Sequence, residues 1–183
     1  MHDDRGRSPG WLLLIYRIPS EPTRLRAAVW RRIKSMGAIY LQNSAAALPA
    51  SVPAERALRK LRSEILDMSG TAVLLSCSVL AGEPEIRAAF QAARDDEYEE
   101  IVDKCRDFNA QVDKEYVDSH FTYAELEENE VDLVKLKKWL ERIQDRDVFG
   151  AAGRAAADEA VAGCEEKLEA YAARVYAEEA ESR

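Results

Sequence analysis

The sequence predicts an α+β protein with two parts: a ferredoxin-like split βαβ domain over residues 10–82, followed by an all-α helical hairpin or bundle over residues 83–183. Short apolar runs and amphipathic segments alternate up to residue 82 in the order strand, helix, strand, strand, helix, strand. No strand pattern follows Gly82 and Pro84. The charge changes at the same place: residues 1–82 carry 12 basic and 6 acidic side chains, a net +6, whereas residues 83–183 carry 14 and 28, a net −14.

Length and composition exclude several classes of protein. A chain of 183 residues that is 47% hydrophobic and 33% charged can bury the core of one domain or two small ones, so it is not a disordered chain. Its three cysteines have no CxxC or CxxH spacing, which argues against a disulfide scaffold or a zinc site. No apolar run reaches the roughly 18 residues of a membrane span, and the polar N-terminus is not a signal peptide. We therefore expect a cytoplasmic protein with no membrane partner.

Glycine and proline delimit the first strand and the first helix. Residues 1–9 are polar and predict a flexible N-terminus. Residues 11–16 form a continuous apolar run, typical of a strand covered on at least one face. Thr23 is a suitable N-cap for a helix over residues 23–36, which Gly37 ends. The apolar stripe expected to face the sheet consists of Leu25, Val29, Ile33 and Met36.

A hairpin, a second helix and a last strand complete the first domain. Residues 38–42 and 45–49 predict two strands around the turn Asn43-Ser44, where Asn tolerates the left-handed backbone conformation. A helix over residues 53–68 opens at Pro53 and closes at Gly70, and residues 71–81 predict the last strand. The two helices are expected to pack on one face of the sheet. The other face must also be covered, and the helical half is the part of the chain that could pack on it.

Three long helices are predicted after Pro84. The first, over residues 84–116, contains an acidic interruption at residues 95–97 that we expect on its solvent face. The second begins at the capping box of Thr122 and Glu125 and includes Val131 and Val134 among its apolar positions. After a break at residues 149–153, a third helix runs to about residue 179.

The charge of the first helix is the strongest functional signal. If its apolar stripe faces the sheet, a rotation of about 100° per residue points Arg24, Arg31 and Lys34 away from the sheet. Arg26 and Arg32 then flank the stripe. An arginine offers a planar fork to a phosphate or another oxyanion, so these five cations are the candidate DNA- or oxyanion-binding residues. A solvated face that pairs with the acidic helices of the same chain is the alternative interpretation.

Two further groups of side chains permit a functional and a structural interpretation. Trp30 is a candidate for stacking on a base, although a tryptophan at this position is more often the edge of a core. Carboxylates near the start of the second long helix suit a hard cation, but no calcium-loop pattern is present and the helix dipole favours acidic residues there, so no metal site is expected. These carboxylates are Glu125, Glu127, Glu128, Glu130 and Asp132. The same reasoning applies to Asp145 and Asp147 beside Arg146, so no metal site is expected there either.

The inventory for catalysis is small. His2 lies in the predicted flexible terminus and His120 in a connection between helices, and no nucleophile or nucleotide-binding motif occurs. We expect no catalytic residue and no cofactor. A small redox enzyme that acts through Cys77 or Cys105 is a minority hypothesis, because a buried thiol is unreactive without a basic neighbour.

Several segments of the sequence are similar to one known family. They are residues 11–19 (WLLLIYRIP), 24–38 (RLRAAVWRRIKSMGA), the Leu48-Pro49 pair, 121–130 (FTYAELEENE), 135–140 (KLKKWL) and 146–151 (RDVFGA). Together they resemble the N-terminal domain family of the chromate-resistance regulator ChrB. The resemblance implies a bacterial, cytoplasmic regulator that binds DNA or responds to chromate or another oxyanion. It assigns that role to Arg24, Arg26, Arg31, Arg32 and Lys34.

The sequence departs from that family in two ways. It has Asn43-Ser44 where the family is expected to have Asp-Gly, and its 183 residues are too short to include the C-terminal chromate-resistance domain of full-length regulators. The first half is also similar to the CRISPR adaptation nuclease fold and to the central domain of phenylacetate-degradation repressors. The nuclease has a metal-binding acidic residue at the end of its first strand, where this chain has Tyr16-Arg17-Ile18, which argues against metal-dependent cleavage.

Two hypotheses of different classes follow. The leading one is a chromate-responsive, non-enzymatic transcriptional regulator that uses the basic helix to engage DNA or an oxyanion. The alternative is a protein-interaction module that acts through the acidic helical half, with Trp139 and Tyr123 as anchors. The candidate partners are DNA, chromate and a second copy of the chain in a homodimer.

Overall fold

A computed structural model describes residues 10–181, which form two compact units. The boundary between the units along the chain lies between Ala93 and Arg94. The predicted flexible terminus at residues 1–9 lies outside the described residues. The elements are β1 (Trp11–Arg17), α1 (Thr23–Ser35), β2 (Ile39–Gln42), β3 (Ala45–Pro49), α2 (Val52–Asp67), β4 (Thr71–Cys77), α3 (Glu83–Asp118), α4 (Tyr123–Arg146) and α5 (Arg154–Glu181). The predicted α+β class is confirmed.

The first unit contains a four-stranded antiparallel sheet in the order β2-β3-β1-β4. Strand β1 pairs with both β3 and β4, as the split βαβ pattern requires. Side chains alternate along the strand, and Leu12 and Leu14 are buried on the face that α1 and α2 cover. The helices contribute Val29, Ile33, Leu58, Leu61 and Ile65 to this core.

The second face of the sheet is partly covered within the first unit. The ring of Trp11 contacts the ring of Phe90, near the start of α3, edge to face at 6.2 Å between centroids. At the other end of this face, Ile15, Val73 and Leu75 are exposed. The register brings Ile15 opposite Val73, so these apolar side chains are neighbours.

The turns lie where they were predicted, but the residue in the left-handed conformation is not always the predicted one. The hairpin turn lies at Asn43-Ser44, and Ser44 adopts the left-handed conformation (φ 70°), not Asn43. At the end of α2, the left-handed residue is Ser69. Gly70 is needed for a different reason: a β-carbon there would lie 2.6 Å from the carbonyl oxygen of Arg17. Strand β4 ends at Cys77, before the predicted residue 81.

The second unit contains the remainder of α3 together with α4 and α5. Thr122 caps α4 as predicted, because its Oγ1 accepts a hydrogen bond from the Glu125 N–H at 3.3 Å. The largest fully buried side chains are Tyr98, Tyr171, Ile101, Ile143 and Val112. The prediction that Val131 and Val134 belong to the apolar side is wrong, because Leu126, Leu133, Leu136, Leu140 and Ile143 fill the inward stripe of α4.

Candidate functional site

Helix α1 presents its cations on the surface of the first unit. Val29 and Ile33 are buried, and Leu25 and Met36 are half-buried, so the apolar stripe faces the sheet as expected. The five candidate residues Arg24, Arg26, Arg31, Arg32 and Lys34 are all exposed. The helix contains no acidic residue, so this surface has one sign of charge.

Ion pairs within the described chain neutralise little of this surface. Arg32 Nη2 lies 3.3 Å from Glu64 Oε1 on α2, and Arg26 Nη2 donates a hydrogen bond to the Ser20 carbonyl oxygen at 3.2 Å. Within residues 10–181, no carboxylate forms an ion pair with Arg24, Arg31 or Lys34. An exposed pair such as Arg32 with Glu64 contributes about 0–1 kcal/mol, so a phosphate or an oxyanion can displace it at small cost.

Trp30 is an exposed residue of the same helix. Its side chain is 49% exposed, and Lys34 Nζ lies 5.4 Å from the centroid of the indole ring. This cation–π contact contributes roughly 0.5–1 kcal/mol at an exposed site. Trp30 is therefore not a core residue, and a base that stacked on this ring face would have to displace the ammonium group.

Helix α2 has two further exposed cations, which sequence reasoning missed. Arg56 and Lys60 are exposed and, in residues 10–181, have no carboxylate partner. Their i,i+4 spacing, opposite the buried stripe that includes Leu58, is the signal that could have identified them. Two other cations on α2 are engaged: Arg59 pairs with Glu55, and Arg62 Nε donates to the Ala72 carbonyl oxygen.

Two carboxylates, the buried Asp147 and the half-buried Asp95 of α3, accept hydrogen bonds from the connection after α4. Asp147 is 7% exposed, both of its oxygens lie 3.0 Å from the Ala151 N–H, and Tyr98 Oη donates to Oδ2 at 3.1 Å. Asp95 Oδ1 accepts a hydrogen bond from the Gly153 N–H at 2.7 Å. Both carboxylates satisfy backbone donors of the loop, as polar groups that are withdrawn from solvent generally do. The pKa of Tyr98 is raised to about 12, mainly because the phenol is buried and secondly because the Asp147 carboxylate lies beside it.

Glu97 of the acidic interruption is also paired. Its Oε2 lies 2.9 Å from Arg94 Nε and 3.0 Å from Arg146 Nη2, and the Arg94 side chain is almost completely buried. The prediction of a wet acidic interruption is therefore wrong for Asp95 and Glu97, whereas Asp96 is exposed. These ion pairs connect α3 to the end of α4, and we interpret the cluster as a structural network.

The cysteines of the second unit are buried thiols. Cys105 and Cys164 lie next to each other, with Cys164 Sγ 3.6 Å from the Cys105 carbonyl oxygen. Burial raises the pKa of both thiols, that of Cys164 to about 12. Because the thiolate is the reactive form, these environments do not support the hypothesis of a redox enzyme that uses Cys105. Cys77 is half-buried at the end of β4.

A family model described as "Protein ChrB, N-terminal" matches residues 26–182, which is most of the chain. The chain belongs to the ChrB N-terminal family. This membership confirms the resemblance and indicates a protein of the chromate-resistance regulator type. The part matched to the ChrB N-terminal family begins at Arg26, so it includes most of α1 and nearly all of the helical half. No curated protein and no solved structure matches the chain. Among the helices within residues 10–181, none has the length and apolarity needed to cross a bilayer.

Proposed function

We propose that the chain is a non-enzymatic regulator of the chromate-resistance type, located in the cytoplasm, and that helix α1 engages DNA or an oxyanion. The observation that carries the proposal is the exposure of five cations on one helix, with Arg24, Arg31 and Lys34 free of carboxylate partners within residues 10–181. An unpaired guanidinium can form two parallel hydrogen bonds with a phosphate or a tetrahedral oxyanion.

Binding to DNA would be mainly electrostatic. Each phosphate that the helix neutralises releases counterions and contributes roughly −0.9 to the slope of log affinity against log salt concentration. Arg56 and Lys60 of α2 would extend the contact along the backbone. Such contacts position a protein on DNA and do not read the base sequence, so the proposal concerns affinity and orientation.

Fluorescence anisotropy with a duplex from the region upstream of the gene tests the DNA proposal. We expect the affinity to fall steeply between about 50 and 200 mM salt, and we expect Arg31→Glu with Arg32→Glu to weaken binding and reduce the salt slope by about 2. Lys114→Glu with Lys138→Glu is the matched control, because it changes the net charge equally at exposed positions of the second unit. Equal losses in both variants would assign the effect to net charge, and no binding at low salt would refute the DNA proposal.

Calorimetry with chromate, with sulfate as the competitor, tests the oxyanion proposal. Both ions offer tetrahedral oxygens to a guanidinium fork. If both ions produce heat with the wild-type chain and neither does with Arg31→Glu plus Arg32→Glu, the result supports a general oxyanion site on α1. Heat from chromate that sulfate does not compete away supports a chromate-selective site. If neither ion produces heat, α1 is not an oxyanion site.

The alternative function is a protein-interaction module formed by the acidic helical half. It is favoured by exposed apolar side chains on α4 and α5: the rings of Tyr123 and Tyr176 contact each other at 5.7 Å between centroids, and Val131 and Val134 are exposed on α4. A pull-down at low salt should then recover a partner that Tyr123→Ala with Val131→Ala fails to retain. Light scattering measures whether that partner is a second copy, which is the homodimer prediction.

A further inference from the structure

A groove of about 490 Å³ lies between α3 and α4 in the second unit. Phe108 and Leu136 are its buried apolar side chains, and Trp139 is a half-buried one. Volumes of about 300–1,000 Å³ with an apolar lining and a few polar groups are typical of small-molecule sites. The size and lining of the groove therefore suit a compact apolar ligand.

The groove includes one buried polar side chain with a fixed orientation. Asn129 is 3% exposed, and its Nδ2 donates to Glu115 Oε2 at 2.7 Å and to the Glu125 carbonyl oxygen at 2.9 Å. Glu115 is equally buried and also accepts a hydrogen bond from Gln111 Nε2 at 3.1 Å. Because both amide hydrogens of Asn129 are used, its Oδ1 is what this side chain can offer to a ligand, as an acceptor.

The charges around the groove favour an anion at one end. Lys104 pairs with Asp107 at 2.8 Å and Lys135 with Asp132 at 2.7 Å, so these two cations have partners. Arg142 also lines the groove. Its Nε donates to the Lys138 carbonyl oxygen, and within residues 10–181 no carboxylate pairs with its guanidinium group. The lining therefore contains three cations and two carboxylates, and Arg142 supplies the charge that the two ion pairs leave unbalanced, although residues 83–183 carry a net charge of −14.

We propose that this groove binds a planar apolar molecule that carries one carboxylate or sulfonate group. The apolar body lies against Phe108, Leu136 and Trp139, and the anionic group accepts hydrogen bonds from Arg142. Arg142 is three residues from Trp139 on α4, so the two side chains lie on the same face of the helix. A hydroxyl or amine substituent can donate to Asn129 Oδ1. The site uses no residue of α1, so this proposal does not depend on the proposed DNA or oxyanion surface.

Calorimetry on the whole chain with three probes of the same ring size tests the proposal: 2-naphthoate, naphthalene-2-methanol and 2-naphthylmethylammonium. We expect 2-naphthoate to bind most tightly and the ammonium compound most weakly. Arg142→Gln should weaken 2-naphthoate by about tenfold, the loss of one hydrogen-bonded charge, and leave the neutral alcohol unchanged. Trp139→Ala should weaken all three probes. The matched controls, Arg106→Gln on the exposed face of α3 and Trp30→Ala on α1, should change none of them.

Several outcomes would overturn the proposal. Equal affinity for the anionic and cationic probes would exclude the role of Arg142, as would an unchanged affinity for 2-naphthoate in Arg142→Gln. Unchanged binding in Trp139→Ala, with the circular dichroism of the wild-type chain, would place the ligand elsewhere. The variant Arg31→Glu with Arg32→Glu should bind 2-naphthoate as the wild-type chain does, so failure of the DNA proposal and failure of this one are distinguished.

Discussion

Replacement of Asp147 by alanine is expected to destabilise the helical unit strongly, although this residue lies in a connection between helices. The change leaves two buried donors without an acceptor: the hydroxyl group of Tyr98, a fully buried residue, and the N–H of Ala151. A buried donor without a partner costs about 1–3 kcal/mol, so the expected loss is about 2–6 kcal/mol. Domains of this kind have a total stability of roughly 5–15 kcal/mol, so this loss is a large fraction of it.

Urea unfolding followed by far-UV circular dichroism measures this loss. Asp145→Ala is the matched control, because it removes the same group two residues earlier from an exposed position, where we expect a change within about 0.5 kcal/mol. Tyr98→Phe provides the second test. In that background one of the two orphaned donors is already absent, so Asp147→Ala should cost about 1–3 kcal/mol less than in the wild-type chain.

Two results would refute this reasoning. If Asp147→Ala and Asp145→Ala lower the free energy of unfolding equally, the buried hydrogen bonds of Asp147 contribute nothing measurable. If the cost of Asp147→Ala is the same with Tyr98 and with phenylalanine at that position, the bond from the Tyr98 hydroxyl is not part of the effect.

Four other predictions concern single residues. Because the pKa of Tyr98 is raised from 10.0 to about 12, its contribution to stability is complete below pH 10 and is lost as the pH rises towards 12; urea midpoints against pH should fall less steeply there for Tyr98→Phe. Cys164 should be alkylated far more slowly than the half-buried Cys77, and mass spectrometry that finds equal rates would contradict its burial. Gly70→Ala should destabilise the sheet unit by about 1–3 kcal/mol in thermal unfolding, because its β-carbon would lie 2.6 Å from a backbone oxygen. Gly163→Ala, at an open position of α5, should stabilise the helical unit by about 1 kcal/mol. A lower stability of this variant would contradict the open space around Gly163.

Local sequence signals predicted most of the first unit. The stripe of α1 and the hairpin depend on residues a few positions apart, and the structure places Val29 and Ile33 inward and the turn at Asn43-Ser44. The same periodicity predicted that the cations of α1 point away from the sheet. The periodicity also applies to Arg56 and Lys60 of α2, which were missed because Glu55 and Glu64 flank the cations of that helix and no continuous basic run forms.

Carboxylate burial was predicted poorly because it depends on residues that are distant along the chain. Asp147 and its hydrogen-bond partner Tyr98 are 49 residues apart, and Asp95 meets Gly153 across 58 residues. An acidic residue on a helix is solvated unless another segment packs over it. The residues next to it in the sequence do not indicate whether a distant segment does so. The prediction of a solvent-exposed acidic interruption was therefore wrong for Asp95, and the burial of Asp147 was not predicted.

The elements, their order and the split of charge between the two halves were determined by the sequence, because each follows from composition or from periodicity within one segment. The folded chain decided which charges remain unpaired, which carboxylates are buried and where a groove forms. Arg31 is exposed and has no carboxylate partner within residues 10–181, and Phe108 of α3 and Trp139 of α4 line one groove. These properties depend on which segments become neighbours, and that information is carried by packing between distant elements.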